Sequence, residues 1–498
     1  MGEIQTEALE REVKFGAPLG VGLPDLRDVV NRTERLPVQQ LETAYFDTPD
    51  GRLWTQGITL RHRVTQGDRG SKWTLKLPAA AEGSTMNRTE VSWEGPRDEI
   101  PRGASAIVRG LVRQQRLQQL VELRSTRQRL LLHDAADHSL AEIDDDTVTV
   151  KGGPRDGLRF RQVELELHDA GAKVVRKVTA RLKGVGLSPE TTPKLERAMG
   201  FPVPPAAERQ LGPNSSLGDV VTAVLAEGLA RLLEHDWRLR AAVGDAAPED
   251  IHQARVATRR LRSDLHTFDV VLDPVWVSRV RLDLKWLGSA LGEVRDADVL
   301  TGQLTGAPEE IGVQLAGQRA EAAERISAIL ANDRYLLLLD HFQAATNSPP
   351  FLHGQDDINQ EDRASRVLPA LVGARWRALR RQVRKSGHHP SDERLHRIRI
   401  KAKQLRYAAE AASPVMGKAA RRTAKAAEDL QTLLGEHHDA VTAESWLRER
   451  AEDGVSPACA FEAGRMAAEQ QRLQRKIRHG WRRTWAPLAK PKRRRWMS

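Results

Sequence analysis

The sequence predicts an α+β protein with a β-rich N-terminal domain and an all-α C-terminal domain. From about residue 5 to 200, short runs rich in Val, Thr, Leu and Trp alternate with Gly, Pro and Asp, which is typical of antiparallel strands. After Leu217, apolar residues recur at the helical period among Ala, Arg and Glu. We place the first domain at 5–202, a Pro-rich linker at 203–216, the helical domain at 217–486 and a basic tail at 487–498.

Two helices are expected to interrupt the strands, at about Asp25 to Arg35 and Gly171 to Lys183. The tail carries no acid after Gln474, and we expect it to be disordered and to attract polyanions non-specifically.

The composition points to a protein that meets polyanions. The 498 residues carry a formal net charge of +11, which favours nucleic acid, polyphosphate or an acidic membrane surface as partner. The single cysteine, Cys459, excludes an internal disulfide framework. The N-terminus lacks a signal-peptide core, and no run approaches the roughly 18 apolar residues of a membrane span. We expect a cytoplasmic protein without a membrane partner.

The helical half contains an internal repeat. HQARVATRRLR at 252–262 matches HRIRIKAKQLR at 396–406, and LGEVRDADV at 291–299 matches LGEHHDAVT at 434–442. The two offsets, 144 and 143 residues, are nearly equal. The repeat predicts a duplicated helical bundle with pseudo-twofold symmetry and halves at about 217–346 and 361–486.

Charged residues in the first domain recur two positions apart. Side chains two apart on a strand share one face, so each set projects from one side of its strand. The sets are Glu10, Glu12 and Lys14; Arg61 and Arg63; Lys72 and Lys76 around Thr74; Arg127 and Arg129; Asp144 and Asp146; Glu164 and Glu166. A sheet that turned these faces inward would gather carboxylates for a divalent metal and cations for a polyanion. The pattern indicates triphosphate chemistry.

Several of these residues lie in motifs that keep a fixed order. The motifs are Tyr45-Phe46-Asp47-Thr48, Leu60-Arg61-His62-Arg63, Thr74-Leu75-Lys76, Arg88-x-Glu90, Arg127-x-Arg129 and Glu164-Leu165-Glu166, after Glu10-x-Glu12-x-Lys14. The series resembles the CYTH family of triphosphate tunnel metalloenzymes across about residues 5–202. The resemblance implies a closed antiparallel eight-stranded β-barrel whose lumen is a tunnel for triphosphate. A small barrel has room inside for side chains or one ligand.

The same resemblance implies roles for individual residues. The cations that would grip phosphate oxygens are Lys14, Arg61, Arg63, Lys76, Arg88, Arg127, Arg129 and Lys194. The carboxylates that would hold Mg²⁺ or Mn²⁺ are Glu10, Glu12, Asp144, Glu164 and Glu166. Glu10, Glu12 and Lys14 are the candidate catalytic group. Lys194 follows Pro193 where many relatives have serine, which leaves its orientation open. In the alternative reading, the arginine pairs are solvated strand faces and the aspartates form a turn.

The repeat carries a second basic pattern. His252, Arg255, Arg259 and Arg262 lie at i, i+3, i+7 and i+10, so they share one helical face. His396, Arg399, Lys403 and Arg406 repeat the spacing. The pattern resembles the CHAD domain over about residues 217–486. The resemblance implies two four-helix bundles with a basic groove that binds inorganic polyphosphate. Metal binding by the histidines and purely structural hydrogen bonding are the alternatives.

Together these patterns favour metal-dependent hydrolysis of inorganic triphosphate or short polyphosphate, with the helical domain retaining the polymer. The alternatives are a non-catalytic protein targeted to polyphosphate granules, a CYTH-type adenylate cyclase and a thiamine triphosphatase. Specific nucleic-acid binding is disfavoured, since aromatic residues make up only 4% of the chain and no reader motif occurs. The sequence leaves open the preferred triphosphate, the metal count, the general base and the oligomeric state.

Overall fold

The computed structural model describes residues 5–68, 70–78, 86–200, 210–242, 247–352, 358–452 and 455–497, without the side chains of 5–10, 86 and 87. The chain divides into two compact units, Met1–Ala207 and Glu208–Ser498. The first is an antiparallel sheet with a few helices, and the second is helical. The predicted α+β class is therefore correct.

The described part of the first unit contains one sheet. Its strands are β1 Gln5–Ala17, β2 Arg32–Arg35, β3 Gln39–Asp47, β4 Thr59–Thr65, β5 Ser71–Pro78, β6 Met86–Glu94, β7 Gln118–His133, β8 Ser139–Lys151, β9 Arg159–Leu167 and β10 Ser188–Pro189. The helices are α1 Arg102–Val112, α2 Ala172–Gly184 and α3 Lys194–Met199, with a 3₁₀ turn at Trp54–Gln56.

The strand pairing places β1 beside two different neighbours. The sheet order is β10-β1-β6-β5-β4-β3-β7-β8-β9, and every pairing is antiparallel. The first part of β1 pairs with β6 from Gln5 to Glu12, and its second part pairs with β9 from Glu12 to Ala17. The expected closed eight-stranded barrel was wrong, because the described residues of this unit form a ten-stranded antiparallel sheet. The two extra strands are short: β2 has four residues and β10 has two.

The helices of this unit differ in part from the prediction. The helix expected at Gly171 to Lys183 is confirmed as α2. The helix expected at Asp25 to Arg35 was wrong, because this stretch ends in strand β2, which pairs with β7. Val29 and Val30 contribute to the helical spacing of this stretch. In the structure they pack in the apolar cluster that contains Phe15 and Ile143. Helix α1 had no counterpart in the prediction.

Apolar clusters cover the charged strands from two directions. On the outer face of β1, β7, β8 and β9, helix α2 packs Val178 and Leu182 against residues such as Phe15 and Ile143. A second cluster lies further along the face that carries the charged residues. It joins Tyr45, Trp54, Val121, Leu123, Val148, Val150 and Phe160 to Leu195 and Ala198 of α3. Charged side chains thus occupy one length of this face and apolar ones the next.

The second unit is built from long helices whose order repeats. Its helices are α4 Leu217–Ala241, α5 Pro248–Thr267, α6 Pro274–Gln303, α7 Glu309–Ala331, α8 Asp333–Asn347, α9 Ala364–Lys385, α10 Asp392–Met416, α11 Lys418–Glu452, α12 Pro457–Ala489 and α13 Pro491–Arg494. Helices α5 and α10 hold the matched basic segments, and α6 and α11 begin 144 residues apart. Two helices, α7 and α8, occupy the sequence position that the single helix α12 takes in the second half.

The expected disorder of the basic tail was wrong. Residues 491–497 form α13 and a 3₁₀ turn, and Trp496 donates a hydrogen bond to Thr423 Oγ1 at 3.1 Å. Met497 is buried beside Gly373. Trp481 and Trp496, two of the three tryptophans in the arginine-rich stretch after Gln474, give it apolar surface to bury, which the charge pattern alone concealed.

Among the described residues, no helix is both long and apolar enough to cross a membrane.

Candidate active site

The register of β1, β8 and β9 brings the predicted acids and a lysine together. Lys14 lies opposite Glu164, Glu12 opposite Glu166, and Asp144 opposite Glu164 on its other side. Lys14 Nζ lies 2.7 Å from Glu12 Oε1 and 3.8 Å from Glu164 Oε1. Glu12, Lys14 and Glu164 are all buried. The strand periodicity read from the sequence therefore does place these groups on one face.

Three of the predicted metal ligands lie close enough to share one cation. Carboxylate oxygens of Asp144, Glu164 and Glu166 all lie within 4.8 Å of one another. Burial, together with the neighbouring charges of Glu166 and Asp146 and against the pull of Arg127, raises the pKa of Asp144 to about 8. Asp144 Oδ1 is buried and accepts no hydrogen bond from the described residues. Hard oxygen donors with an unsatisfied buried oxygen fit Mg²⁺ or Mn²⁺.

Lys194 points into the same group. Its Nζ lies 2.6 Å from Glu164 Oε2 and 2.7 Å from Asp146 Oδ2, and the residue is buried. Although burial opposes ionisation, Lys194 and Lys14 hold the pKa of Glu164 well below its ordinary value. Lys194 and Arg127 likewise outweigh burial and lower the pKa of Asp146 to about 2. Pro193 precedes Lys194 in the sequence, yet the Lys194 side chain contacts these acids from the first residue of α3.

Two arginines of β7 pair with the acids of β8. Arg127 donates to both oxygens of Asp146, at 2.8 and 2.7 Å, and also contacts Asp144. Burial opposes its charge, yet these carboxylates raise the pKa of Arg127 well above its ordinary value. Arg129 forms a two-point pair with Glu142, with NH2 at 2.9 Å from Oε2. Arg129 is thus paired with Glu142, and its guanidinium is more exposed than that of Arg127.

The facing strands β4, β5 and β6 contribute more cations. Lys76 Nζ lies 2.5 Å and Arg61 NH2 lies 3.6 Å from Glu90 Oε1. Arg63 donates from Nε to Thr43 Oγ1 at 3.1 Å. Burial, together with the nearby charges of Arg61 and Arg127, lowers the pKa of Arg63 to about 10. Cations of separate strands therefore gather where an anion would relieve their repulsion.

The remaining predicted residues lie on β1 and β6. Glu10 pairs in backbone register with Arg88, but the side chain of Glu10 lies outside the described residues. Arg88 is partly buried.

Three acids at this site were given no role by the sequence analysis. Asp146, Glu142 and Glu90 each pair with a predicted phosphate-binding cation. Asp146 and Glu90 lie in patterns read from the sequence, whereas Glu142 was missed, although it alternates with Asp144 along β8 and the same period-two rule could have found it. Asp47 serves the backbone, since it accepts hydrogen bonds from the amides of Thr48, Leu53 and Trp54 at 2.7 to 2.9 Å.

In the helical unit, the matched motifs form the same contact in each repeat. Arg255 of α5 donates to the carbonyl oxygen of Gly292 at 2.8 Å and pairs with Asp296 at 3.0 Å. A Cβ at Gly292 would lie 2.9 Å from the Arg255 guanidinium. In the second repeat, the guanidinium of Arg399 lies 3.6 Å from the corresponding position at Gly435. Gly292 therefore makes room for Arg255, whereas a Cβ at Gly435 would be in ordinary van der Waals contact with Arg399.

We call the four predicted residues on α5 and the four on α10 the two basic stripes. Charges on one stripe lower the pKa of a residue on the other. Burial and the nearby charges of four arginines lower the pKa of Lys403 to about 7; the arginines are Arg259, Arg399, Arg262 and Arg255. Arg259 donates to the Tyr407 hydroxyl at 3.2 Å, across the two helices. Arg406 instead pairs with Glu410 at 2.7 Å and Glu428 at 3.0 Å. The side chain of Arg262 has an exposed surface. Its partial desolvation and the nearby charge of Arg281 lower the pKa of Arg262.

The two histidines of the stripes have different neighbours. The rings of His396 and His438 lie 4.3 Å apart, and burial with nearby cations lowers the pKa of both, that of His438 to about 4. Burial and the charge of Arg295 lower the pKa of His252. Neither His252 nor His396 belongs to a group of potential metal ligands among the described residues.

Comparison with known proteins divides the chain at the same place. Residues 8–194 match the family model of the CYTH domain, and residues 223–448 match that of the CHAD domain. Uncharacterized protein MT2285 of Mycobacterium tuberculosis (strain CDC 1551 / Oshkosh) is 31% identical over 485 residues, which is 89% of each chain.

Two solved structures resemble part of the chain. PptA from Streptomyces chartreusis is 22% identical with a TM-score of 0.44, and covers 55% of this chain and 100% of its own. The CHAD domain from the plant Ricinus communis is 25% identical with a TM-score of 0.45, and covers 57% of this chain and 95% of its own. On the two family models and the relative that spans both, this chain belongs to the family of proteins in which a CYTH domain is followed by a CHAD domain.

Proposed function

We propose that the N-terminal domain hydrolyses inorganic triphosphate or the ends of short polyphosphate with Mg²⁺ or Mn²⁺, at the charged face of the sheet. The observation that carries the proposal is the meeting of Asp144, Glu164 and Glu166 within 4.8 Å, beside the cations of β1, β4, β5 and β7. The membership of the chain in a triphosphate tunnel metalloenzyme family supports it.

The carboxylates divide into two sets with different tasks. Asp144, Glu164 and Glu166 would hold the cation, and Glu10 and Glu12 would complete its surroundings through bound water. When bound, the cation neutralises charge on the phosphate oxygens and orients the attacking water. Asp146 is committed to Arg127 and Lys194, so it positions these cations.

The cations would bind and orient the phosphate chain. Arg63 is held by Thr43 and has no carboxylate within ion-pair distance among the described residues, which suits it to a phosphate oxygen. Lys14, Arg61, Lys76 and Arg127 already have carboxylate partners, so an arriving phosphate would compete with or bridge those pairs. Arg88, Arg129 and Lys194 would surround these contacts. Such positioning accounts for most of phosphoryl-transfer catalysis.

Phosphate release from triphosphate, ATP, thiamine triphosphate and long polyphosphate with Mg²⁺ or Mn²⁺ tests this proposal. Glu166→Gln and Glu12→Gln should lower turnover by about two orders of magnitude or more, since each removes a charge at the cation site. Glu42→Gln is the matched control, because Glu42 is exposed on β3. Equal release by the wild type and both site variants would contradict the assignment.

We further propose that the helical domain binds inorganic polyphosphate through the two basic stripes. Burial, together with the charges of three arginines of α5 and of Arg399 on α10, lowers the pKa of Lys403 on α10 to about 7. A bound polyanion would relieve that repulsion. Retention of the polymer would raise the phosphate concentration available to the first domain.

The double variant Arg255→Glu with Arg399→Glu tests the stripes. It should weaken polyphosphate binding while triphosphate turnover remains close to that of the wild type. Arg397→Glu on α10, the helix that also carries Arg399, is the control, because Arg397 is exposed and paired with Glu393. Unchanged polyphosphate affinity in the double variant would assign the stripes a structural role.

A further inference from the structure

The C-terminal segment, residues 490–497, docks on helices α9 and α11. Trp496 donates to Thr423 of α11, and Arg493 donates to the carbonyl oxygen of Arg422 at 2.6 Å. Met497 lies against α9, where a Cβ added at Gly373 would meet the Met497 carbonyl oxygen at 2.4 Å. The segment is therefore held by close backbone contacts, and glycine is needed at position 373.

Docking concentrates cations around Trp376. The guanidinium carbon of Arg494 lies 5.3 Å from the centre of the Trp376 ring, and that of Arg380 lies 5.4 Å from it. The Trp376 indole donates to the carbonyl oxygen of Leu488 at 3.1 Å, which fixes the ring beneath both arginines. Arg377 also lies beside the docked segment. Its NH1 would be 3.2 Å from a Cβ added at Gly373, the residue that contacts Met497.

These cations lack acidic partners. Among the described residues, no carboxylate lies within ion-pair distance of the guanidinium groups of Arg377, Arg380, Arg422, Arg493 or Arg494. Elsewhere in the helical unit, exposed arginines such as Arg325, Arg448 and Arg465 each have a glutamate within 3 Å. A like-charged cluster without counterions gains the most from a polyanion.

We propose that the C-terminal segment and α9 form a second binding surface for inorganic polyphosphate, which we call the C-terminal patch and define as Arg377, Arg380, Arg422, Arg493 and Arg494. The patch lies on other helices than the basic stripes, which are on α5 and α10. It deepens the proposed function, because it gives one long polymer a second contact on the same domain. Two contacts on one chain raise affinity for long polymers and leave short ones unaffected.

The chemistry of the patch favours a bare phosphate chain over nucleic acid. Single-stranded nucleic acids are held by stacking their bases on exposed aromatic rings. Trp376, the ring at the centre of the patch, is only 6% exposed and is covered by the two arginines. The patch therefore offers charge to phosphates without a stacking platform.

The first test removes charge from the patch. The triple variant Arg377→Gln, Arg380→Gln and Arg494→Gln should bind long polyphosphate about tenfold or more weakly, with a shallower salt dependence. Its affinity for tripolyphosphate and its triphosphate turnover should match the wild type. The control removes three exposed but ion-paired arginines, by Arg325→Gln, Arg448→Gln and Arg465→Gln. Fluorescence anisotropy with labelled long-chain polyphosphate measures both variants in the full chain.

The second test displaces the segment without changing any charge. Gly373→Ala puts a Cβ into the Met497 carbonyl, so the segment must leave α9. It should weaken long-chain binding as the triple variant does. Gly464→Ala is its control, because a Cβ there meets nothing within 4 Å. Thermal unfolding of both glycine variants reports whether the helical unit stays folded.

Three results would overturn the inference. The first is long-chain affinity in the triple variant equal to that of its control. The second is a folded Gly373→Ala variant with wild-type affinity. The third is loss of binding to a single-stranded RNA oligonucleotide with unchanged polyphosphate binding, which would assign the patch to nucleic acid. The stripe variant with Arg255→Glu and Arg399→Glu reports separately on the proposed function, so failure of one is distinguishable from failure of the other.

Discussion

Lys194 Nζ lies 2.6 Å from Glu164 Oε2, so the residue that opens α3 neutralises an acid in the middle of β9. The same ammonium lies 2.7 Å from Asp146. A short helix after the last long strand thus completes the charge balance of the sheet. Loss of one member of such a group leaves buried charges without a partner.

Lys194→Met should therefore destabilise the first domain by about 3 to 5 kcal/mol at neutral pH. Denaturant unfolding of the full chain, followed by a signal from the first domain, measures the change. Arg27→Met is the control, since Arg27 and Asp25 form an exposed pair on the same domain. Equal stability of the two variants would show that Lys194 is not needed to balance these acids.

Metal should stabilise the first domain through Asp144. A ligand that binds only the folded state raises the midpoint of unfolding, and Asp144→Asn should remove most of the rise seen with Mg²⁺ or Mn²⁺. Asp145→Asn is the adjacent control, because Asp145 pairs with Arg161 at 2.7 Å. It should keep the response to metal even if its basal stability falls. A full response in Asp144→Asn would argue against the cation site.

The two LGE glycines should differ in their tolerance of alanine. At Gly292 an added Cβ lies 2.9 Å from Arg255 NH1, whereas at Gly435 the nearest guanidinium atom of Arg399 is 3.6 Å away. Gly292→Ala should displace Arg255 and weaken polyphosphate binding several-fold, and Gly435→Ala should change it little. Parallel binding titrations of the two variants compare them directly, and an equal effect would refute the steric argument.

Polyphosphate binding should take up a proton near pH 7 to 8. Burial and four nearby cations lower the pKa of Lys403 to about 7, so the free protein carries it partly neutral there. A bound polyanion favours the charged form and raises that pKa, so affinity should fall as pH rises above 7. Calorimetry in buffers of different ionisation enthalpy counts the proton. Lys403→Arg, which stays charged, should abolish the uptake.

The buried Asp264 should make the helical unit less stable as the pH rises. Burial raises its pKa to about 8, and its Oδ1 accepts no hydrogen bond from the described residues. Because the folded state holds this proton more tightly than the unfolded one, stability should decline between about pH 4 and pH 8. Asp264→Asn should remove that decline and raise stability above pH 8 by an amount on the order of a few kcal/mol. Denaturation at pH 5 and pH 9 checks it, and a parallel decline in both proteins would rule it out.

The face of each charged strand could be predicted from the sequence, because the strand period is two. Glu12, Lys14, Asp144 and Glu164 needed only that rule to share a face. The repeat was equally readable, since two matched segments with nearly equal offsets define corresponding helices. Lys194 was harder, because its direction depends on where α3 packs, through Leu195 and Ala198, against strands far away in sequence.

The errors have similar causes. Residues around Val29 and Val30 have helical spacing, but pairing of Arg32–Arg35 with β7 overrode it. The basic tail looks disordered by charge, yet Trp496 and Met497 supply apolar anchors. Local patterns cannot reveal such distant partners, and the tertiary contact decides the outcome.

The cluster of Tyr45, Leu123, Val148 and Phe160 with α3 fills the charge-bearing face beyond the acids with hydrocarbon. Phosphate cannot follow that route, because its hydration would be lost with nothing to replace it. A phosphate chain held by the cations of this face would therefore end where the apolar cluster begins.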